Sequence, residues 1–177
     1  PFDAVESALA LHYAAHEVLP DSEFADFHVA VDPVPGIRRW IRPQAYFRFD
    51  ANPPFNPLAA SQAFPLLEWG LNWCVSAHCH QYLIIHAAVV ERAGRALMMP
   101  APPGSGKSTL CAALVARGWR LLSDELTLID VETRRIVPLP RPVSLKNESI
   151  GIITEFWPEA RMSPVVHDTL KGSVAHV

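Results

Sequence analysis

The sequence predicts an α/β chain, and three observations carry that prediction. The apolar run Arg95 to Pro100 (RALMMP) leads straight into a glycine-rich stretch, and Ser108 to Arg117 (STLCAALVAR) follows with helical spacing. A second apolar run, Tyr82 to Glu91 (YLIIHAAVVE), lies just upstream across a turn at Arg92-Ala93-Gly94, which is hairpin grammar and points to antiparallel pairing in the sheet. Farther upstream, short stretches of alternating or aromatic residues suit strands.

Bulk properties narrow the class. The chain has 177 residues, half of them apolar, enough for one compact unit or one unit plus an appendage. A formal charge of −3 and a pI near 6.2 leave no broad basic field, which disfavours nucleic acid as the main partner. The three cysteines, Cys74, Cys79 and Cys111, are odd in number and lack framework spacing, so reduced thiols in a cytoplasmic protein are expected. No apolar run approaches the ~20 residues that a membrane span requires. The chain opens at Pro1 without an initiator Met and closes on SVAHV, an alternating stretch that reads like a strand cut short; a fragment of a longer protein is the expectation, and a removed targeting segment stays open.

Taken in order, Phe27 to Val31 (FHVAV), Arg38 to Ile41 and Ala45 to Asp50 (AYFRFD) predict an antiparallel meander. The seventeen prolines cluster in PVPGI, ANPPFNP, PAPPG and VPLPRPV, and mark the ends of elements. From Pro65, which suits a helix's first position, Leu66, Leu67, Trp69, Gly70, Trp73, Cys74 and Ala77 recur at helical spacing and predict a helix packed on the core. The hairpin comes next. The helix after the glycine stretch should present Leu110, Cys111, Leu114 and Val115 on one face and end at Gly118. Trp119 to Asp130 (WRLLSDELTLID) then reads as a strand containing two adjacent acids, followed by a turn at Glu132-Thr133 and another short strand.

The glycine stretch carries the chemistry. Ala101 to Ser108 reads A-P-P-G-S-G-K-S, which matches the P-loop pattern G-x-x-x-x-G-K-[ST] everywhere except the first glycine. In such a loop the amides near the helix start converge on phosphate oxygens, the lysine reaches the outer phosphates, and the next hydroxyl holds magnesium. Pro102 and Pro103 lack an amide hydrogen but precede Gly104, so the donors from Gly104 to Thr109, including those of Ser105, Gly106, Lys107 and Ser108, survive. The rival reading is a tight turn capped by Ser105 with a solvated lysine; the strand before and the apolar helix after favour a cradle for nucleotide phosphates, with ATP and Mg2+ the expected ligands and the nucleobase left open. Asp124 and Glu125 follow the lysine by one helix and one strand, where a second acidic element belongs. Adjacent acids on a strand point to opposite faces, so only one should face the loop unless the strand is bulged or ends there.

The stretch IHAAVVERAGRALMMPAPPGSGKSTLCAALVARGWRLLSDELTLI resembles the core of the HPr kinase/phosphorylase superfamily, most closely the branch known as HPr-related kinase A. The shared features are Ile85-His86-Ala87, Gly94 in the turn, the glycine loop, Arg117-Gly118, Arg120-Leu121 and Asp124-Glu125, with Arg141 to Lys146 (RPVSLK) matching more weakly. The resemblance implies a P-loop kinase core of the phosphoenolpyruvate carboxykinase type with a mixed sheet at residues 65–177, preceded by a small, mostly β region at residues 1–64. It implies Asp124 as the base toward a substrate hydroxyl, Glu125 and Ser108 on magnesium, Lys107 at the transferring phosphoryl group, and His86, on the strand beside the loop, near the γ-phosphate or the base. The acceptor would be a protein, through a hydroxyl such as that of a serine, or a small molecule, and a homo-oligomer is open. Ala101 replaces the first glycine, and Glu125 stands where the second acid is usually Asp, one methylene farther out, which leaves Asp124 as an alternative metal ligand.

Two rival functions stay in view, a P-loop ATPase without an acceptor and a non-catalytic nucleotide-sensing module. CVSAHCH (Cys74, His78, Cys79, His80) lacks a paired partner motif for zinc, and His12 and His16 read as a helix surface. Arg38, Arg39 and Arg42 read as a solvated strand face. Lys146 in SLKNES and Lys171 in TLKGS are loop lysines with reach toward phosphates or acceptor.

Overall fold

The computed structural model describes residues 2–20, 22–50 and 52–177. They divide into two compact units, Pro1–Val75 and Ser76–Val177.

The first unit opens with α1 (Asp3–His12), so the expected mostly β region also carries a helix; His12 ends it and His16 lies beyond. Strands β1 (Val29–Pro33), β2 (Gln44–Phe49) and β3 (Leu58–Ala59) form an antiparallel meander in that order, two of its strands falling where the sequence placed them and the third, β3, elsewhere. Arg38 to Ile41 is not a strand. Gly36, at φ +80°, turns the chain into a short 3-10 helix, Gly36–Arg39. The side chains of Arg38 and Arg39 lie outside the described residues. Helix α2 (Ala63–His78) buries Ala63, Phe64, Leu66, Leu67 and Cys74 with Ala45 and Phe47 of β2, and the division between the units falls within this helix. A Cβ on Gly70 would overlap the Phe47 ring, so the missing side chain is what lets helix and strand approach.

In the second unit the apolar run Tyr82 to Glu91 is two strands, β4 (Tyr82–Ile85) and β5 (Ala87–Arg92), with His86 between them. Strand β6 (Arg95–Pro100) pairs with β5 through a two-residue turn in which Ala93 and Gly94 both have positive φ, the backbone that closes tight hairpins. Helix α3 (Lys107–Ala116) ends as the glycine predicts: Gly118 N–H donates to Val115 O and Trp119 N–H to Leu114 O. Its buried face is Cys111 and Ala112, whereas Leu110 is 51 % exposed, contrary to the expected stripe. Strand β7 (Arg120–Ser123) returns beside β5, and β8 (Thr127–Asp130) pairs with β4 and with β9 (Ile136–Val137).

The remaining elements are β10 (Ser144–Lys146), α4 (Glu148–Phe156), β11 (Val166–Thr169) and β12 (Gly172–His176), the strands forming a sheet ordered β10-β12-β11. Ala88 and Val90 of β5, Cys111 and Ala112 of α3, Leu145 of β10 and Ile153 of α4 share one core. The fold is thus α/β with small sheets, and every strand pairing among the described residues is antiparallel. The expected mixed sheet lacks a parallel pair there because β5 lies between β6 and β7, the two strands that α3 connects. No helix among the described residues is long and apolar enough to cross a membrane.

Candidate functional site

The glycine loop sits between the end of β6 and the start of α3. Gly104 and Gly106 have φ of +80° and +86°, a backbone that L residues with a Cβ adopt at a cost, and Gly106 is the N-cap of α3. Ala101, at the position of the missing glycine, leads the loop out of β6. Lys107 folds back across it, donating to Ala101 O at 2.6 Å and to Pro102 O at 3.1 Å, while Ser105 N–H closes a turn on Pro102 O. Pro103, Gly104, Gly106, Lys107, Ser108 and Thr109 then form one wall of a cleft of about 790 Å3.

The two acids enter the cleft because their strand is interrupted. Ile85 pairs with Thr127, and Val89 with Ser123, so the two pairs flanking the gap keep one antiparallel register, which a bulge between Val89 and Val90 then shifts by one residue. His86 lies in the gap on one side, and Asp124, Glu125 and Leu126 lie in it on the other. Hydroxyls replace ladder bonds there: Thr127 Oγ1 donates to Ala87 O at 3.0 Å, and Ser123 Oγ donates to Leu126 O. Freed from the alternation of a strand, Asp124 and Glu125 both line the cleft, as does His86. The expected placement of His86 on a strand is corrected, since it occupies the link between two strands and is exposed.

Asp124 is 6 % exposed, and its Oδ2 accepts from Ser108 Oγ and from the Ser144 amide, each at 3.1 Å. Its Oδ1, also buried, has no partner. Burial pushes the carboxyl up to about 6; the bonds from Ser144 and Ser108 and the nearby Lys146 act against the rise, and the Glu125 charge adds to it. Glu125 goes the other way. Burial raises it, but Lys146 (Nζ to Oε1, 3.4 Å), Lys171 and Arg141 together hold it below the usual carboxylate range. Cys111 is a poor nucleophile, because burial and the Asp124 charge both keep its thiol protonated.

The wall opposite the loop combines Ser144 and Lys146 of β10, Asn147 and Ser149 at the start of α4, and Lys171 at the tip between β11 and β12. Asn147 has φ +52° and holds two elements together: its amide donates to Ser173 O at 2.9 Å, its Oδ1 accepts from Ser173 N–H at 3.1 Å, and its Nδ2 reaches Lys171 O at 3.4 Å. The sequence flagged the two lysines but not Ser144 or Asn147, for which the only available signal was the neighbouring lysine.

Ser108, Asp124 and Glu125 are the oxygen-bearing side chains of the cleft to compare with a magnesium site. Ser108 Oγ touches a carboxylate that retains an unpartnered buried oxygen, with Glu125 beside it, which suits a hard cation that keeps water and phosphate oxygens among its ligands. Among the described residues no group of three or more His, Cys, Asp or Glu converges in the manner of an all-protein metal cage, and this includes CVSAHCH.

Residues 68–141 match the protein family described as SynChlorMet cassette protein ScmC. The matched span holds the glycine loop and both acids and stops short of Ser144, Lys146 and Lys171. No curated protein and no solved structure matches the chain.

Proposed function

We propose that the second unit is an ATP-dependent kinase core that passes the γ-phosphoryl group to a hydroxyl. The observation that carries the reading is Asp124: a buried carboxyl that lines the cleft, raised to about 6, bonded to the hydroxyl that follows the loop lysine, with its other oxygen buried and unpartnered. That is a general base near working pH beside a phosphate cradle. The amides of Gly104 and of Gly106 to Thr109 would hold the phosphates, that of Ser105, expected among them, being taken by Pro102 O, and Lys107 would leave the loop carbonyls to meet the transferring group. Ser108 and Glu125 would hold magnesium, Ser108 oriented by its bond to Asp124. Magnesium, when bound, would offset phosphate charge and hold the terminal phosphate in line. His86, exposed at the same cleft, would approach the outer phosphate oxygens.

In the transfer step the acceptor oxygen bonds to the γ-phosphorus as the bond from that phosphorus to the β,γ-bridging oxygen breaks. ADP departs with the electron pair, and the acceptor's proton goes to the Asp124 carboxylate.

The test pairs nucleotide-binding calorimetry with transfer of label from γ-labelled ATP. Lys107→Ala should weaken ATP binding tenfold or more. Asp124→Asn should bind within about twofold of the parent and transfer about 10²–10⁴ times more slowly. Equal loss of binding in both variants removes Asp124 from the role of base; phosphate released without any labelled acceptor favours an ATPase, and binding without turnover favours a sensing module.

A further inference from the structure

The wall facing the glycine loop has the makings of a second anion site. Ser144 is 8 % exposed, lines the cleft, and its Oγ has no hydrogen-bond partner; the Oδ1 of Asp124 is likewise buried and unpartnered. The two residues are joined through the Ser144 amide on Asp124 Oδ2. A carboxylate oxygen and a hydroxyl, both unsatisfied and on two residues joined by that bond, match a ligand hydroxyl that donates to one and accepts from the other.

Beyond this pair the same wall presents cations on a rigid mount. Lys171 sits at a hairpin tip whose turn is closed internally, Lys171 N–H donating to Thr169 Oγ1 at 3.0 Å and Thr169 Oγ1 to Gly172 O at 2.7 Å. Asn147 fastens that tip to the first turn of α4, and the fit is close enough that a Cβ on Gly172 would overlap Asn147 Oδ1. Asn147 accepts a left-handed backbone to do so, a strain that persists only where the surroundings impose it. The Glu148 and Ser149 amides open α4 at the positive end of its dipole, on the wall that carries Lys146 and Lys171, whereas the Ile150 amide is taken by Asn147 O and the Glu148 carboxylate also lines the cleft.

We propose that the acceptor of the kinase is a small hydroxyl compound bearing a carboxylate or phosphate, its hydroxyl held between Asp124 Oδ1 and Ser144 Oγ and its anionic group held by Lys171 and the α4 N-terminus. The inference rests on the kinase reading above. It divides the cleft by charge: Lys107 and the loop amides serve the nucleotide, Lys171 and α4 serve the acceptor, with Lys171 also near the Glu125 charge, and Lys146 forms the ion pair with Glu125.

Calorimetry with a matched series of probes tests this division. Glycerol, glycerate and glycerol 3-phosphate share a hydroxyl skeleton and differ in their anionic group. Titrated into protein saturated with a magnesium complex of a non-hydrolysable ATP analogue, glycerate or glycerol 3-phosphate should bind at least tenfold more tightly than glycerol, and which of the two wins identifies the anion. Lys171→Ala should weaken the anionic probe about tenfold and leave the analogue within twofold, Lys171→Arg should restore most of it, and Lys107→Ala should do the reverse. Glycerol binding as well as either anion, no binding of any probe, or equal loss of analogue and probe in Lys171→Ala overturns the proposal while the nucleotide reading stands. Failure of the parent protein to bind the analogue sinks both.

Discussion

The loop wall, Pro103 to Thr109, comes from one run of sequence, whereas the wall facing it is assembled from the end of β10, the start of α4 and the tip of a distant hairpin. The first is shaped by its own backbone. Two glycines take left-handed φ, and a lysine bonds carbonyls five and six residues away. The second depends on side-chain clamps between elements, with Asn147 and Ser149 supplying the bonds. The contrast teaches that chemistry encoded in a contiguous loop survives many changes elsewhere, while chemistry assembled by tertiary contact fails when one fastening is lost. Asp124 belongs to both, taking Ser108 from one wall and Ser144 from the other on the same oxygen.

The largest expected effect therefore falls on that seam. The Asp124 carboxyl titrates at about 6 in the folded protein against an ordinary 3.8, so the native state keeps its proton longer than the unfolded chain does. Stability on this account is greatest below the unfolded value and is lost as pH rises through about 6. Asn keeps an oxygen for both donors and cannot ionise. Without magnesium, Asp124→Asn should match the parent near pH 3 and exceed it by about 3 kcal/mol at pH 8. Thermal melts across that range check it; a gain that does not grow with pH means that water reaches Asp124 and the two walls are not closed around it.

The same contrast decided what the sequence disclosed. The hairpin, the loop, α3 and its Gly118 stop were legible because each is specified within a few neighbouring residues. The break at Asp124–Leu126 was not, since WRLLSDELTLID has the composition of one strand and only the hydroxyl bonds of Ser123 and Thr127 show where it parts. Helix α4 (ESIGIITEF) hid behind its own propensities: Gly151 and several β-branched residues argue against a helix, and packing of Ile150 and Ile153 in the core outweighs them. At Gly36–Arg39 the error ran the other way, apolar residues around Trp40 reading as a strand where a left-handed glycine starts a turn.

A second, smaller effect compares one glycine from each wall. Gly106 and Gly172 share a left-handed backbone, but a Cβ would meet nothing within 4 Å at Gly106 and would overlap Asn147 Oδ1 at Gly172. Gly106→Ala should cost only the backbone penalty, about 1–2 kcal/mol. Gly172→Ala should cost that and the clamp as well, roughly 2–4 kcal/mol in all. Urea denaturation of the two variants distinguishes them, and equal costs would show that the far wall yields as easily as the loop.

The smallest effect concerns the ion pair across the cleft floor. Lys146 meets Glu125 at 3.4 Å with both side chains partly exposed, so solvent screening limits its worth, and Lys146→Met, which keeps the apolar stem, should cost only about 0.5 kcal/mol at neutral pH. The sign with pH is opposite to that of Asp124. Glu125 is held below the usual carboxylate range, so its contribution is present above the ordinary value of 4.5 and disappears as pH falls through the lowered one. The variant should thus be less stable than the parent at pH 7 and indistinguishable from it well below pH 4, and half-molar salt should shrink the neutral-pH difference. A penalty that persists in acid would assign Lys146 to packing of the far wall and leave Glu125 to Lys171 and Arg141.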